Sequence, residues 1–232
     1  MRTMSLVPLV ALMAVCPQLA LAQKSDPAPA KPPKGAIVLF DGKDTSHWIH
    51  RGSKSPCQWT VEDGCLIVKP GTGDIVTKEE FGDYKLHVEF WLPLMADQES
   101  QGRANSGVYN HARYEIQVLD SYKNPTYPFG GCGAIYEQKD PDKDAIKPPE
   151  QWNTYDITFK APRFDKSGNL TAKPRITVVH NGIKIHDNVE IDKESTRSGQ
   201  DGPRPKVGPI LLQDHGCQVR FRNIWIVPMK SK

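Results

Sequence analysis

No segment of this 232-residue chain repeats its apolar residues every 3.6 positions over ten residues or more, so the sequence offers no amphipathic helix. Short apolar or alternating runs recur instead, with 20 prolines and 18 glycines punctuating them. The runs expected as strands are 37–40, 59–61, 65–68, 84–92, 107–109, 114–119, 134–136, 152–159, 175–180, 183–186, 207–212 and 219–227. Asn181-Gly182 stands between two of them, the pair that a tight hairpin turn demands. Glu62-Asp63-Gly64 marks another turn. A chain built this way is expected to be all-β, a sandwich or jelly roll of antiparallel sheets.

The ends read differently from the middle. Arg2, an apolar run over 6–15 and Ala20-Leu21-Ala22 form the pattern of a secretory signal peptide, expected at 1–22. It is too short to span a bilayer, and no later segment is apolar enough to do so. Cys16 raises a lipoprotein signal, but Val15 stands where a small residue is expected, which favours cleavage after Ala22. Residues 23–34, QKSDPAPAKPPK, have nothing to bury and are expected as a flexible or polyproline-like linker. The globular domain is then 35–232, and the mature protein is expected to be exported, to the periplasm or beyond.

Loss of the leader removes Arg2 alone among the charged residues, leaving 29 basic against 27 acidic. No basic cluster is interleaved with aromatics, so a nucleic-acid partner is not expected. Four cysteines remain, Cys57, Cys65, Cys132 and Cys217. In an exported chain an even number permits two disulfides. Cys57 and Cys65 flank QWTVEDG and are expected to pair across that hairpin, with Cys132 and Cys217 left to pair or stay free. There is no C-x-x-C to suggest a metal site.

The segment NSGVYNHARYEIQVLD, 105–120, carries the chemistry. On a strand over 114–119, Glu115, Gln117 and Leu119 share one face, and Tyr114, Ile116 and Val118 the other. A carboxylate and an amide on one face suit either a polar, concave sheet surface or simply a wet outer face. Two further strands repeat the pattern. His87, Glu89 and Trp91 oppose Leu86, Val88 and Phe90, while Leu211, Gln213 and His215 share a face. Planar amides and carboxylates for hydroxyls, with aromatic rings for C–H faces, are what a sugar needs. A lone His or Trp in a strand is more often packing, so convergence of several strands is the stronger sign.

Several chemistries are absent from the sequence: no G-x-S-x-G elbow surrounds Ser106, and there is neither H-E-x-x-H nor a phosphate-binding loop. Gly130-Gly131-Cys132-Gly133 reads as a sharp turn or a close backbone approach to a ligand. No cofactor is required. Calcium or another divalent metal has only weak candidates: Asp41, Asp44 and Asp74 near glycines, which more often build turns, or His87 with Glu89, which lack a third ligand.

VLFDGKDTSHW, WTVEDGCL, ANSGVY, YEIQVLD, GAIY, QWNTYDI, VVHNGIKI and LLQDHGCQVRFRNIWI occur in this order. Together they closely resemble the 3-keto-disaccharide hydrolase family, also described as 3-keto-glucoside 1,2-lyase and 2-hydroxy-glucal hydratase. The resemblance covers 35–232. It implies a concanavalin A-like β-sandwich and an exported bacterial enzyme acting on sugars already oxidised at C3. A C3 ketone acidifies the C2 proton, so one base can remove it, expel the group at C1 and let water add. Such a site needs a base, donors to the enolate oxygen and an acid for the leaving oxygen. Glu115 is the expected base or sugar-binding carboxylate, and His215 and Tyr136 are candidate proton donors. Asn105, Gln117, Gln213, Asp120, Trp91 and Arg222 are the expected sugar contacts.

Two other readings stay open. Laminarinase-like hydrolases of similar fold carry E-x-D-x-x-E, where this chain has Glu115, Gln117 and Asp120. Asp120 joins the Glu115 face only through a β-bulge. A non-catalytic carbohydrate-binding domain would keep Trp91, Asn105 and Gln117 and need no base.

Overall fold

The computed structural model describes residues 27–230, so the expected leader at 1–22 and the start of the linker lie outside the described residues. In chain order the strands are β1 (Ile37–Phe40), β2 (Trp48–His50), β3 (Thr60–Glu62), β4 (Cys65–Ile67), β5 (Ile75–Thr77), β6 (Tyr84–Trp91), β7 (Asn105–Asn110) and β8 (Tyr114–Leu119). There follow β9 (Trp152–Lys160), β10 (Arg163–Phe164), β11 (Leu170–Ala172), β12 (Arg175–His180), β13 (Ile183–Glu190), β14 (Leu211–Leu212) and β15 (Arg220–Pro228). Among the described residues the sole helical turn is a 3-10 turn, Ser100–Gly102.

Two antiparallel sheets face each other. The larger runs β13-β12-β9-β6-β15-β4-β3, with β1 lying end to end with β4 along one edge of β15. The smaller runs β2-β5-β14-β7-β8. Leu86, Val88 and Phe90 of β6 meet Val108 of β7, Ile116 and Val118 of β8 and Leu212 of β14 in one buried core. This is the all-β jelly-roll sandwich that the strand pattern leads one to expect. Two tyrosines tie the sheets together across the core. The Tyr155 hydroxyl donates to the Gln117 carbonyl at 2.6 Å, and that of Tyr84 to Asn110 Oδ1 at 2.9 Å. The backbone of β8 is thereby held from behind.

The β12–β13 hairpin turns at Asn181 (φ 51°) and Gly182 (φ 80°), the doubly positive geometry that its sequence calls for. Strands β2, β5, β10 and β11, of two or three residues each, fall outside the expected runs. The run 134–136 contributes isolated bridges from Ile135 to Ile116 and to Lys139, and 207–212 shrinks to the strand Leu211–Leu212.

Two expectations are corrected. Cys57 and Cys65 are not bridged to one another. The β3–β4 register pairs Glu62 with Cys65 and Thr60 with Ile67, so Cys65 sits at the turn and Cys57 beyond the open end. Flanking a hairpin in sequence therefore puts the two thiols at its opposite ends. Nor is the linker wholly a tether. The Pro27 carbonyl accepts from Arg222 Nη2 at 2.7 Å and that of Ala30 from Asn223 Nδ2 at 2.7 Å, while the Ala30 amide donates to Glu89 Oε1 at 3.1 Å. Residues 27–30 form a strap across the outer face of the larger sheet.

Candidate functional site

The outer face of the smaller sheet is concave and polar at one end. Asn105, Gly107 and Tyr109 of β7 alternate outward beside Glu115 and Gln117 of β8, and the pairing register Gly107–Gln117, Tyr109–Glu115 is unbroken. Next to them Gln213 follows β14, its amide hydrogen donating to the Gly107 carbonyl at 3.1 Å. A cavity of about 290 Å³ opens over this surface, near the lower end of small-molecule sites.

Glu115 is 2% exposed and forms the cavity's chemical centre. The Tyr109 hydroxyl donates to Glu115 Oε2 at 2.8 Å, and Gln213 Nε2 donates to the Tyr109 oxygen at 3.0 Å. This relay fixes the carboxyl and leaves Oε1 over Gly107. Only glycine fits there: a Cβ at position 107 would lie 2.5 Å from Glu115 Oε1 and 2.6 Å from the Tyr109 ring. Burial pushes the Glu115 carboxyl up to about 8, with the charges of Asp74 and Glu137 adding to the rise and the Tyr109 hydrogen bond opposing it. Burial and the Glu115 charge also push the Tyr109 phenol far above its ordinary value, so it stays a donor.

An amide cluster borders the carboxyl. Gln101 Oε1 accepts from Asn105 Nδ2 and from Gln117 Nε2, both at 3.1 Å, and Gln101 Nε2 donates to Thr126 Oγ1 at 2.7 Å and the Gly130 carbonyl at 2.9 Å. Tyr127 and Tyr136 line the rim with their hydroxyls bonded to each other. Gly130 lets the Tyr127 ring approach the backbone closely, since a Cβ there would meet it at 2.4 Å. Burial first, then the Tyr127 hydroxyl, raises the Tyr136 phenol. Exposed His215, Arg197 and Ser198 complete the lining.

Six of the expected site residues thus converge: Glu115, Gln117, Asn105, Gln213, His215 and Tyr136. Three do not. Trp91 and Arg222 belong to the larger sheet, whose outer face points away from this cavity. There Arg220 stacks over Trp91 at 4.7 Å, while Arg222 stacks over Trp152 at 3.9 Å and bonds Glu89 Oε2 at 2.7 Å. Alternation reveals which residues share a face of a strand, not which sheet the strand enters. Asp120 is fully buried and held by Arg103 Nη1 at 3.3 Å. With no bulge in β7–β8, it stays off the Glu115 face.

Sequence reasoning missed Tyr109, Gln101, Tyr127, Arg197 and Ser198. The outward alternation of β7 from Asn105 would have found Tyr109; loop residues leave no such trace. The His87–Glu89 pair is also occupied otherwise: His87 Nδ1 meets Asp156 Oδ1 at 2.7 Å and Glu89 binds Arg222, Asn223 and the strap. Asp41 and Asp44 cap local turns at Lys43 and Ser46, and Asp74 pairs with Arg51. Among the described residues no group of three His, Cys, Asp or Glu is placed to hold a metal ion.

Residues 35–227 match the 3-keto-alpha-glucoside-1,2-lyase-like domain. A Bacteroides thetaiotaomicron protein named 3-keto-disaccharide hydrolase is 25% identical over 226 residues, covering 82% of this chain and 77% of its own length. The crystal structure of a candidate glycosyl hydrolase from Parabacteroides distasonis is 37% identical with a TM-score of 0.76, covering 90% of this chain and 95% of that one. A second candidate glycosyl hydrolase from the same organism, 22% identical with a TM-score of 0.63, covers 84% of this chain and 94% of its own and shares the fold.

Proposed function

This chain belongs to the 3-keto-alpha-glucoside-1,2-lyase-like domain family, and from that membership we propose that it hydrolyses 3-keto-glucosides by elimination and subsequent addition of water. The observation that carries this reading is a cavity with one carboxyl, Glu115, among its described lining residues. A retaining glycosidase needs two carboxyls about 5–5.5 Å apart and an inverting one about 6.5–9.5 Å. Elimination needs one base.

The steps follow from the chemistry of the ketone. Ionised Glu115 takes the C2 proton through Oε1, while the Tyr109–Gln213 relay keeps Oε2 in place. The C2 electron pair passes into the carbonyl, whose enolate oxygen takes the N–H hydrogen bonds that Asn105 and Gln117 otherwise give to Gln101 Oε1. Collapse of the enolate breaks the C1–O bond, and the leaving oxygen takes a proton from Tyr136 or His215. Water then adds across C1 and C2, hydroxyl to C1 and proton to C2, giving the free 3-keto sugar. A base with its pKa at about 8 matches such a task better than an ordinary carboxylate. The leader pattern at 1–22 supports export of the mature enzyme.

The test offers purified protein a 3-keto-glucoside and its unoxidised parent. Release of aglycone from the oxidised substrate alone is expected, with solvent deuterium entering C2. Glu115→Gln keeps the shape and removes the base, and a loss on the order of 10²–10⁴ in rate is expected. Equal cleavage of both substrates would overturn elimination.

A further inference from the structure

The outer face of the smaller sheet holds a second cavity of about 580 Å³, beside the first and of different character. Its described floor is aliphatic, with Ile49, Val76, Ala112 and Pro209. The two cavities lie on one line. Pairing register sets Glu115 beside Tyr109, Tyr109 beside Leu211, Leu211 beside Val76 and Val76 beside Ile49. At about 4.8 Å per strand, Val76 stands roughly 14 Å from Glu115 along that row. One loop also borders both: Arg197 and Ser198 line the first cavity and Gln200 the second. Arg51 of the second cavity donates from Nη1 to the Ser198 carbonyl at 2.8 Å, joining the two rims.

We propose that this second cavity is a leaving-group subsite, selecting 3-keto-glucosides whose aglycone is apolar and carries two or more rings. The inference rests on the elimination reading of the first cavity. A second sugar fits the floor poorly. Sugar sites use aromatic platforms and planar amides, as the first cavity does with Tyr127, Tyr136 and its amide cluster. The described lining of the second cavity contains no aromatic ring. A small leaving group such as methoxide would not reach it, since the first aliphatic lining residue on this row, Val76, stands three strands from the base. The rim carries Arg51, Lys54 and Lys78 against Glu80, with Arg51 paired to Asp74 at 3.3 Å, so the aliphatic floor rather than the rim charge makes the selection.

The test uses the full mature chain and three substrates with the same 3-keto-glucosyl group, bearing methyl, a second glucose or 2-naphthyl at C1. The 2-naphthyl compound is expected to exceed both others in kcat/KM on the order of 10-fold or more, chiefly through KM. In Ile49→Asn and Val76→Asp the naphthyl-to-methyl ratio is expected to fall toward one. Ile49 is half-buried, so its variant keeps the comparison available should the Val76 variant fail to fold. Equal kcat/KM for naphthyl and methyl, preference for the second glucose, or an unchanged ratio in both variants would overturn the subsite while leaving elimination intact. Cleavage of none of the three would overturn the elimination reading instead. Titration with free 2-naphthol then decides the subsite by itself: saturable binding weakened in Ile49→Asn supports it, and binding that does not saturate overturns it.

Discussion

Glu115 must be deprotonated to act as a base, yet burial holds its carboxyl at about 8, so at neutral pH most of it carries a proton. The rate of C2 proton abstraction should therefore climb with pH and level off above about 8. Tyr109 donates to the ionised carboxyl and so opposes the rise. In Tyr109→Phe the rising limb should move to higher pH and kcat/KM at pH 7 should fall. A limb that stays put or moves lower would show that the hydroxyl does not tune the base. At position 107 the constraint is space. Gly107→Ala drives a methyl group into Glu115 Oε1 and the Tyr109 ring, costing about 1–3 kcal/mol in thermal stability. Its loss of turnover should exceed its loss of folded protein. Glu115 and Gln117 were legible because a carboxylate and an amide stand out among strand formers. Tyr109 was not, since a tyrosine in a strand looks like packing until its neighbour is known.

At the scale of elements, β6 and β8 carry similar alternations and serve different ends. β8 presents Glu115 and Gln117 to an open cavity, whereas β6 presents His87 and Glu89 to Asp156, Arg222, Asn223 and the strap. Glu89→Ala leaves Arg222 without its carboxylate and should cost about 3–5 kcal/mol in denaturant unfolding. Trp91→Ala and Arg222→Ala, on the same face, should lower stability and leave kcat/KM for a 3-keto-glucoside as it was. A drop in kcat/KM at constant folded fraction would reinstate them as substrate contacts. The strands themselves were readable because their alternation and turn residues are local. Their assignment to sheets was not, because pairing of β14 with both β5 and β7 joins segments more than a hundred residues apart. The overturned Cys57–Cys65 pairing has the same origin, a register that sequence proximity does not supply.

For the whole molecule, two buried sites set a common pH dependence. Asp156 and Glu89 overcome burial and hold His87 raised from 6.5 to about 9, and Glu89 is lowered from 4.5 to about 2 against the pull of burial, by His87, Asn223 and Arg222. The His87 contribution is complete below pH 6.5 and is lost as pH rises through about 9. That of Glu89 is complete above 4.5 and is lost as pH falls through about 2. Glu115, raised from 4.5 to about 8, adds a further decline across that interval. Melting temperature should consequently fall from pH 6.5 to 9, less steeply in His87→Gln, whose slope equalling that of the parent would contradict the assignment. The strap over this pair has a consequence for how the sequence can diverge. Among the described residues, its hydrogen bonds to the sheet run through the Pro27 carbonyl and the Ala30 amide and carbonyl, and the side chains at 27–30 are exposed. Side chains at 27–30 are therefore at liberty to drift, with the exception that proline cannot replace Ala30. Spacing is what has to be inherited, because the Pro33–Ala36 turn must still deliver the chain to β1. Descendants that lose Glu89 or Asn223 should accordingly be those whose leading segment has changed in length as well.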